Sequence, residues 1–352
     1  MTTNKTDLKN FKQTQLQQWI ISLGHSSYRA KQIFAWIYRP GITDFDQMTD
    51  LSKQLREELR EISFISSLPI SVREVSEDGT LKYGLQLSDG MLIESVLIPE
   101  EERNTLCISS QVGCAMACAF CLTGTMGFKR NLTPAEIIGQ ICAVQADLAA
   151  ADGGQITNIV FMGMGEPLAN FDNLLVALEI IMDEKGLNFS NRRITVSTCG
   201  LAPKIVELGK RISVNLAISL HGADDEVRNS IMPVNATYPI SEVLDACRDF
   251  PLPARKSIMF EYILLAGIND SDDDARKLAK LLRDLPCKIN LLPCNEAPEI
   301  PFSKPSRNRV YAFQEILRKA GYTVLIRTSR GDDISAACGQ LANKVKKMQV
   351  AP

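Results

Sequence analysis

Long apolar runs are missing from this sequence: no uncharged stretch approaches the ~18 residues that a membrane span needs. The opening Met1-Thr2-Thr3-Asn4-Lys5-Thr6-Asp7 lacks the apolar core of a secretory signal, so a cytoplasmic setting is expected. An excess of one charge is missing too, with 39 basic side chains against 41 acidic and a net charge of −2. That balance neither favours nor excludes nucleic acid, because a basic face can sit within a neutral total. Histidine is scarce, His25 and His221 being the whole complement, and there is no low-complexity segment. Cysteine, by contrast, is plentiful. Ten in 352 residues point, in a cytosolic chain, to metal ligands or catalytic thiols before disulfides. A hydrophobic content of 45% with 23% charged residues excludes disorder and collagen-like structure. At roughly 150 residues per domain, the length fits two domains or one large α/β domain with an appendage.

The first ~65 residues carry a helical period. Leu16, Trp19, Ile20 and Leu23 follow it, with Gly24 as a C-cap. Ser26 or Ser27 opens a second helix through Ala30, Ile33, Phe34 and Ile37, and Leu51, Leu55, Leu59 and Ile62 mark a third. From Ile70 the period becomes two. Asp78-Gly79 and Asp89-Gly90 punctuate the runs Leu81–Leu87 and Met91–Ile98, predicting hairpins. Leu92, Glu94, Val96 and Ile98 share one strand face there, which sets a carboxylate among apolar side chains. Beyond Asn104, strands are expected at Thr105–Ser109, Ile156–Met162, Ile194–Thr198, Val214–Leu220, Ser257–Leu264 and Lys288–Leu292, with a seventh possible at Thr323–Arg327. Amphipathic helices alternate with them, the first opened by the capping box Thr133-Pro134-Ala135-Glu136. Such alternation predicts an α/β fold, a barrel or doubly wound sheet with ligands at the C-terminal strand ends. The expected division is a helical unit over 1–65, a β-hairpin extension over 66–104 carrying Glu94, and a core over 105–347.

Three thiols, Cys114, Cys118 and Cys121, lie in one nine-residue loop directly after the first core strand. Three loop thiolates can hold three corners of an iron–sulfur cube, whereas ordinary ferredoxin clusters use four cysteines. The iron left without a protein ligand can chelate the amino and carboxylate groups of a small molecule such as S-adenosylmethionine. A structural zinc site would want a fourth ligand and paired short spacings, and no second pair lies nearby.

The CxxxCxxC spacing at the end of the first core strand resembles that of the radical S-adenosylmethionine superfamily. Cys107 to Cys114 and Cys121-Leu122-Thr123-Gly124 are similar, more narrowly, to the adenosine carbon-2 methyltransferases of ribosomal and transfer RNA, the RlmN family. The likeness continues through Gly163-Met164-Gly165-Glu166-Pro167-Leu168, Val196-Ser197-Thr198, Ser219-Leu220-His221, Leu292-Pro293-Cys294-Asn295 and Ala337-Cys338-Gly339-Gln340-Leu341. Tyr28 to Gln32 and Asp50 to Lys53 also fit, so it spans nearly the whole chain.

The resemblance implies a partial (βα)6 radical barrel with a 4Fe–4S cluster on Cys114, Cys118 and Cys121. S-adenosylmethionine, two molecules per turnover, would be bound by Gly165, Glu166, Ser197, Ser219, Leu220, His221 and Asn295, with Glu166 accepting from the methionyl amine and the glycines letting backbone approach the ligand. It implies Cys338 as methyl carrier, Cys107 as the thiol that releases the product through a transient disulfide, and Glu94 as acceptor of the proton from adenine carbon 2. A carboxyl among apolar neighbours suits a general base.

The implied substrates are an adenosine in the peptidyl-transferase centre of 23S rRNA and the adenosine 3′ of the tRNA anticodon, flipped out of its stack. Flavodoxin or ferredoxin would donate electrons, and a monomer is expected. Lys129-Arg130, Arg192-Arg193 and the helical unit with Arg29 and Lys31 are candidate RNA contacts. The sister carbon-8 methyltransferases share cluster, thiols and fold, but Gln111-Val112-Gly113-Cys114 and Gly127 to Asn131 are closer to the carbon-2 enzymes. A non-enzymatic zinc or RNA-binding protein would explain the cysteine triplet but not the cofactor loops.

Overall fold

The computed structural model describes residues 5–39, 41–337 and 339–341. Two short strands, β1 (Thr6–Asp7) and β2 (Ser63–Phe64), pair in parallel and bracket three helices, α1 (Gln13–Ser22), α2 (Ser27–Ile37) and α3 (Lys53–Ile62). The helices form where the apolar period is strongest, and Leu16, Ile20, Ile33, Phe34, Leu55 and Leu59 are buried. Gly24 ends α1 at a φ of +85° while the His25 amide donates back to the Ile20 carbonyl. Ser52 caps α3, its hydroxyl accepting from the Leu55 amide.

The chain then folds through β3 (Ile70–Val75), β4 (Leu81–Gln86), β5 (Leu92–Glu100) and β6 (Arg103–Cys107), each antiparallel to the last. Both predicted Asp-Gly turns are present. Gly79 and Gly90 take φ values of +84° and +83°, and each aspartate accepts from the amide two residues on. A small antiparallel pair, β7 (Gln111–Val112) and β8 (Arg130–Asn131), flanks the cysteine loop and its short helix α4 (Leu122–Thr125).

Past β6 the chain alternates. The strands β9 (Asn158–Phe161), β10 (Ile194–Thr198), β11 (Asn215–Ser219), β12 (Ile258–Leu264), β13 (Cys287–Pro293) and β14 (Thr323–Ile326) run parallel to β6 and in sequence order. The seventh parallel strand is therefore present. Between them lie α5 (Pro134–Ala150), α6 (Phe171–Met182), α7 (Ala202–Arg211), α8 (Asp225–Ile231), α9 (Ile240–Asp249), α10 (Asp272–Leu281) and α11 (Arg307–Lys319). This is an α/β fold on one ten-stranded mixed sheet, the hairpins adding antiparallel strands to the β6 edge. The expected capping box opens α5, with Thr133 Oγ1 accepting from the Glu136 amide (3.2 Å) and Glu136 from that of Thr133 (2.9 Å).

Two basic side chains named above as candidate RNA contacts are placed as follows. Arg130 is held by Glu136 (2.8 Å) and Asp89 (2.7 Å), tying a hairpin turn to the start of α5. Arg193 sits just before β10, at the opposite end of that strand from Ser197. Among the described residues no helix is long and apolar enough to cross a membrane.

Candidate active site: a thiol-lined cavity at the strand ends

The parallel strands deliver their C-terminal ends to one side, and a cavity of about 180 Å³ opens there. Cys114, Cys118, Cys121, Gly165, Glu166, Ser197, Ser219, His221 and Asn295 all line it. Leu220 does not: its side chain is wholly buried, and its backbone links the neighbouring strand through the Glu261 carbonyl. Cys338 lies outside the described residues.

A glutamine that sequence reasoning missed sets the exit of β6. Gln140, buried on α5, accepts from the Ser109 amide (2.8 Å) and the Ser95 hydroxyl (2.8 Å) and donates to the Ser109 carbonyl (2.9 Å). Ser109 Oγ in turn donates to the Glu94 carbonyl (2.6 Å) and accepts from the Met164 amide (2.9 Å). One network thus fixes β5, β6 and the glycine loop after β9.

The glycines of that loop also let it touch a neighbouring loop. A Cβ on Gly163 would stand 2.7 Å from the Ile108 carbonyl oxygen, and one on Gly165 2.4 Å from Gln111 Cβ. Gly165 also holds a φ of +94°, in the left-handed region. Both positions let two loops touch. Gly165→Ala should therefore destabilise the chain by about 1–3 kcal/mol, read by denaturant unfolding. Unchanged stability would show that the contact is slack.

Glu166 is buried, and its two oxygens accept from the amides of Leu168 (2.9 Å) and Cys199 (2.8 Å). Burial pushes its carboxyl above the usual range, against the pull of those amides. The cysteine thiols are in a similar position. Burial raises Cys114 to about 12, the charges of Glu166 and Cys121 adding to it, and Cys118 is raised further for the same reason. Thiolates here need a nearby cation, and a cationic metal centre is one. Among the described residues no three His, Cys, Asp or Glu side chains converge as ligands of a single metal ion would. Three thiols on the wall of one cavity suit a cluster held at three corners, and a buried carboxylate beside them suits an amine.

His221 keeps a left-handed φ of +58° and stacks edge-to-face on Phe120, their ring centres 4.8 Å apart. Its Nδ1 accepts from the Ile263 amide (3.0 Å), so the ring proton sits on Nε2. The ring is both a core histidine bonded to backbone and part of the cavity wall. Burial first, and then the charge of Arg228, lowers it to about 3. The unfolded chain takes up a proton near pH 6.5 that the folded chain refuses until about pH 3. This residue's contribution to stability is therefore lost as pH falls through that window. With only two histidines in the chain, nitrogen NMR should show His221 as the neutral Nε2–H tautomer from about pH 8 down to 5. A titration midpoint inside that range would contradict the assignment.

Glu94 is 5% exposed, and Val96, two residues along β5, stands opposite Cys107 on β6. Because side chains alternate along a strand, Glu94 and Cys107 share one sheet face. Cys107 lines a smaller cavity of about 50 Å³ with Val96 and Ile98. That cavity shares Met162, Leu292, Pro293, Asn295 and Arg327 with the larger one. Ala337 lines the smaller cavity and Gly339 the larger. The segment is tied to the cysteine loop by the Leu122 amide on the Gly339 carbonyl (2.8 Å) and by Thr123 Oγ1 on that of Leu341 (2.7 Å).

Two more buried groups on this side were not expected. Glu261 interrupts the apolar run of β12, the same signal that marked Glu94, whereas Arg228 gave no such sign. Cys199 is buried and also lines the cavity.

Residues 108–282 match the family model of the radical SAM superfamily, and fold and site together define a radical S-adenosylmethionine enzyme, with the cluster and cofactor that class uses. Residues 6–65 match the N-terminal domain of the ribosomal RNA large subunit methyltransferases. The chain is 54% identical over 350 residues to a dual-specificity RNA methyltransferase RlmN of Desulfotalea psychrophila, covering 97% of each chain. It is 53% identical to that of Geobacter sulfurreducens, covering 97% of this chain and 94% of the other. A radical SAM methyltransferase crystal structure from Sphaerobacter thermophilus superposes with a TM-score of 0.89 at 44% identity, over 96% of this chain and 99% of that one. The chain belongs to the RlmN family of radical SAM RNA methyltransferases.

Proposed function

We propose that this chain methylates carbon 2 of an adenosine in 23S rRNA and of the adenosine 3′ of the tRNA anticodon, using two S-adenosylmethionine molecules per turnover. Cys114, Cys118 and Cys121 would hold the 4Fe–4S cluster. Gly165, Glu166, Ser197, Ser219, Leu220, His221 and Asn295 would hold the cofactor, Leu220 through its backbone. When bound, cluster and cofactor supply a 5′-deoxyadenosyl radical. The chain's own residues do the rest. The Cys338 thiolate takes a methyl group from the sulfonium and carries it to the base, since both adenine carbon 2 and the sulfonium methyl are electrophilic. Glu94 accepts the proton lost from carbon 2. Cys107 forms a transient disulfide with Cys338 as the carbon–sulfur link to RNA breaks.

The observation that carries this reading is the shared wall between the two cavities. Cluster thiols line one and Cys107 the other, and the residues flanking position 338 line one each. The thiols of the cysteine loop, Cys107 and the residues on either side of position 338 come from three distant parts of the chain, which supports the reading.

The reading extends to a partial (βα)6 barrel over 105–347, a hairpin extension over 66–104, a helical unit over 1–65 that meets RNA, a flavodoxin or ferredoxin as reductant, and a cytoplasmic monomer. The test is anaerobic incubation of reconstituted protein with unmodified rRNA and tRNA, followed by mass spectrometry of the nucleosides. 2-Methyladenosine is expected in both. 8-Methyladenosine would move the chain to the sister activity, and no methylated adenosine at all would overturn the proposal.

A further inference from the structure

Arg228, on α8, is the largest of the wholly buried side chains among the described residues. An arginine is rarely buried without a carboxylate partner, because removing its charge from water is costly. None of its acceptors is a carboxylate. Nε donates to the Leu220 carbonyl (2.9 Å), Nη1 to Asn235 Oδ1 (2.6 Å) and the Tyr238 carbonyl (3.2 Å), and Nη2 to the carbonyls of Cys199 (2.5 Å) and Ser219 (3.5 Å). These dipoles solvate the guanidinium, and the charge of Asp225 reaches it by way of Asn235, which donates to Asp225 Oδ1 (2.9 Å).

The positions of those acceptors are informative. Cys199 lies just past β10, which carries Ser197, while Ser219 ends β11 and Leu220 follows it. One side chain therefore spans the two strand ends that line the cofactor cavity. The other end of α8 reaches the cysteine loop, where the Ala119 amide, between Cys118 and Cys121, donates to the Ile231 carbonyl (2.9 Å). The space is built around this residue. A Cβ on Gly222 would stand 2.8 Å from Arg228 Cβ, and one on Gly200 3.2 Å from Nη2. Its charge is felt by the thiols of Cys118 and Cys199.

We propose that Arg228 is the fixed counter-cation of the iron–sulfur site, stabilising an electron added to a cluster on Cys114, Cys118 and Cys121 while holding the β10 and β11 ends in register with the cysteine loop. The inference rests on the three-thiol reading of the site. Physically, a buried positive charge favours the more negative, reduced cluster, and low local dielectric lets that field act at a distance. Arg228 touches no reacting atom; it is a positioning residue.

The test uses the full chain loaded anaerobically with iron and sulfide, as wild type, Arg228→Gln and Arg228→Lys. The midpoint potential is read by an EPR-monitored redox titration without RNA or S-adenosylmethionine, and cofactor affinity is measured separately. Arg228→Gln should move the potential more negative. Arg228→Lys, which keeps the charge, should stay near wild type. Both should weaken S-adenosylmethionine binding by at least roughly tenfold, since neither replaces the five-way fork. A wild-type potential in Arg228→Gln would overturn the proposal. If Arg228→Gln loads no cluster, Arg228→Lys decides, a wild-type potential supporting the charge and a more negative one refuting it. Failure of both variants to hold iron, with wild-type circular dichroism, would also refute the electrostatic role. Iron and sulfide content of the wild-type sample reports separately on the three-thiol reading.

Discussion

Cys338→Ala is expected to transfer no methyl group to RNA while keeping its iron and its affinity for S-adenosylmethionine. Direct transfer between two electrophilic carbons has no low-energy path, so removing the carrier removes the reaction rather than slowing it. Position 338 lies outside the described residues, but its neighbours Ala337 and Gly339 line the two cavities. Cys199 is within the larger cavity, yet burial holds its thiol well above the ordinary range and disfavours the nucleophilic thiolate. The measurement is tritium from methyl-labelled cofactor appearing in RNA, and label on RNA from this variant would exclude the carrier mechanism. Cys107→Ala should behave in the opposite way, transferring the methyl carbon but leaving chain and RNA covalently joined, visible as a shifted band in a denaturing gel.

Replacing Glu94 with glutamine should lower turnover by about 10²–10⁴-fold, the usual worth of a positioned general base. The substitution keeps shape, and the main chain at this point is held independently through the Glu94 carbonyl, Ser109 and Gln140. The strand should therefore stay in place while the proton has nowhere to go, and the covalent RNA adduct should accumulate. Free product at the wild-type rate would remove Glu94 from the reaction.

Much of this architecture is readable in the sequence because it depends on local chemistry. Ile194–Thr198 is a strand with the bounds its composition implies. Asp78-Gly79 and Asp89-Gly90 turn because an aspartate can bond the amide two residues on and glycine takes a positive φ. The Thr133–Glu136 cap is likewise complete within four residues. What was not readable depends on partners far apart in the chain. Arg130 looks like a free basic side chain until Asp89 and Glu136 fold onto it. Gly163 and Gly165 line the cavity as a ligand loop should, and the sequence did not show that the atoms meeting a Cβ there belong to Ile108 and Gln111. Gln140 and Arg228 are ordinary helix residues by pattern, and only the strand ends brought against them reveal their work. Among site residues, the thiols and the cofactor loops were recognisable from motif. The continuity of the hairpins with the parallel sheet was not, since it runs through β6, which pairs locally with β5 but also in parallel with the distant β9.

An iron cube held at three corners, with the fourth iron open to the cofactor, is the claim on which the chemistry stands. Mössbauer spectroscopy of oxygen-free protein carrying isotopically enriched iron tests it most directly. Four irons per chain are expected, one of which changes its spectrum when S-adenosylmethionine is added. Zinc in place of iron, or a cluster in which every iron is indifferent to the cofactor, would contradict it.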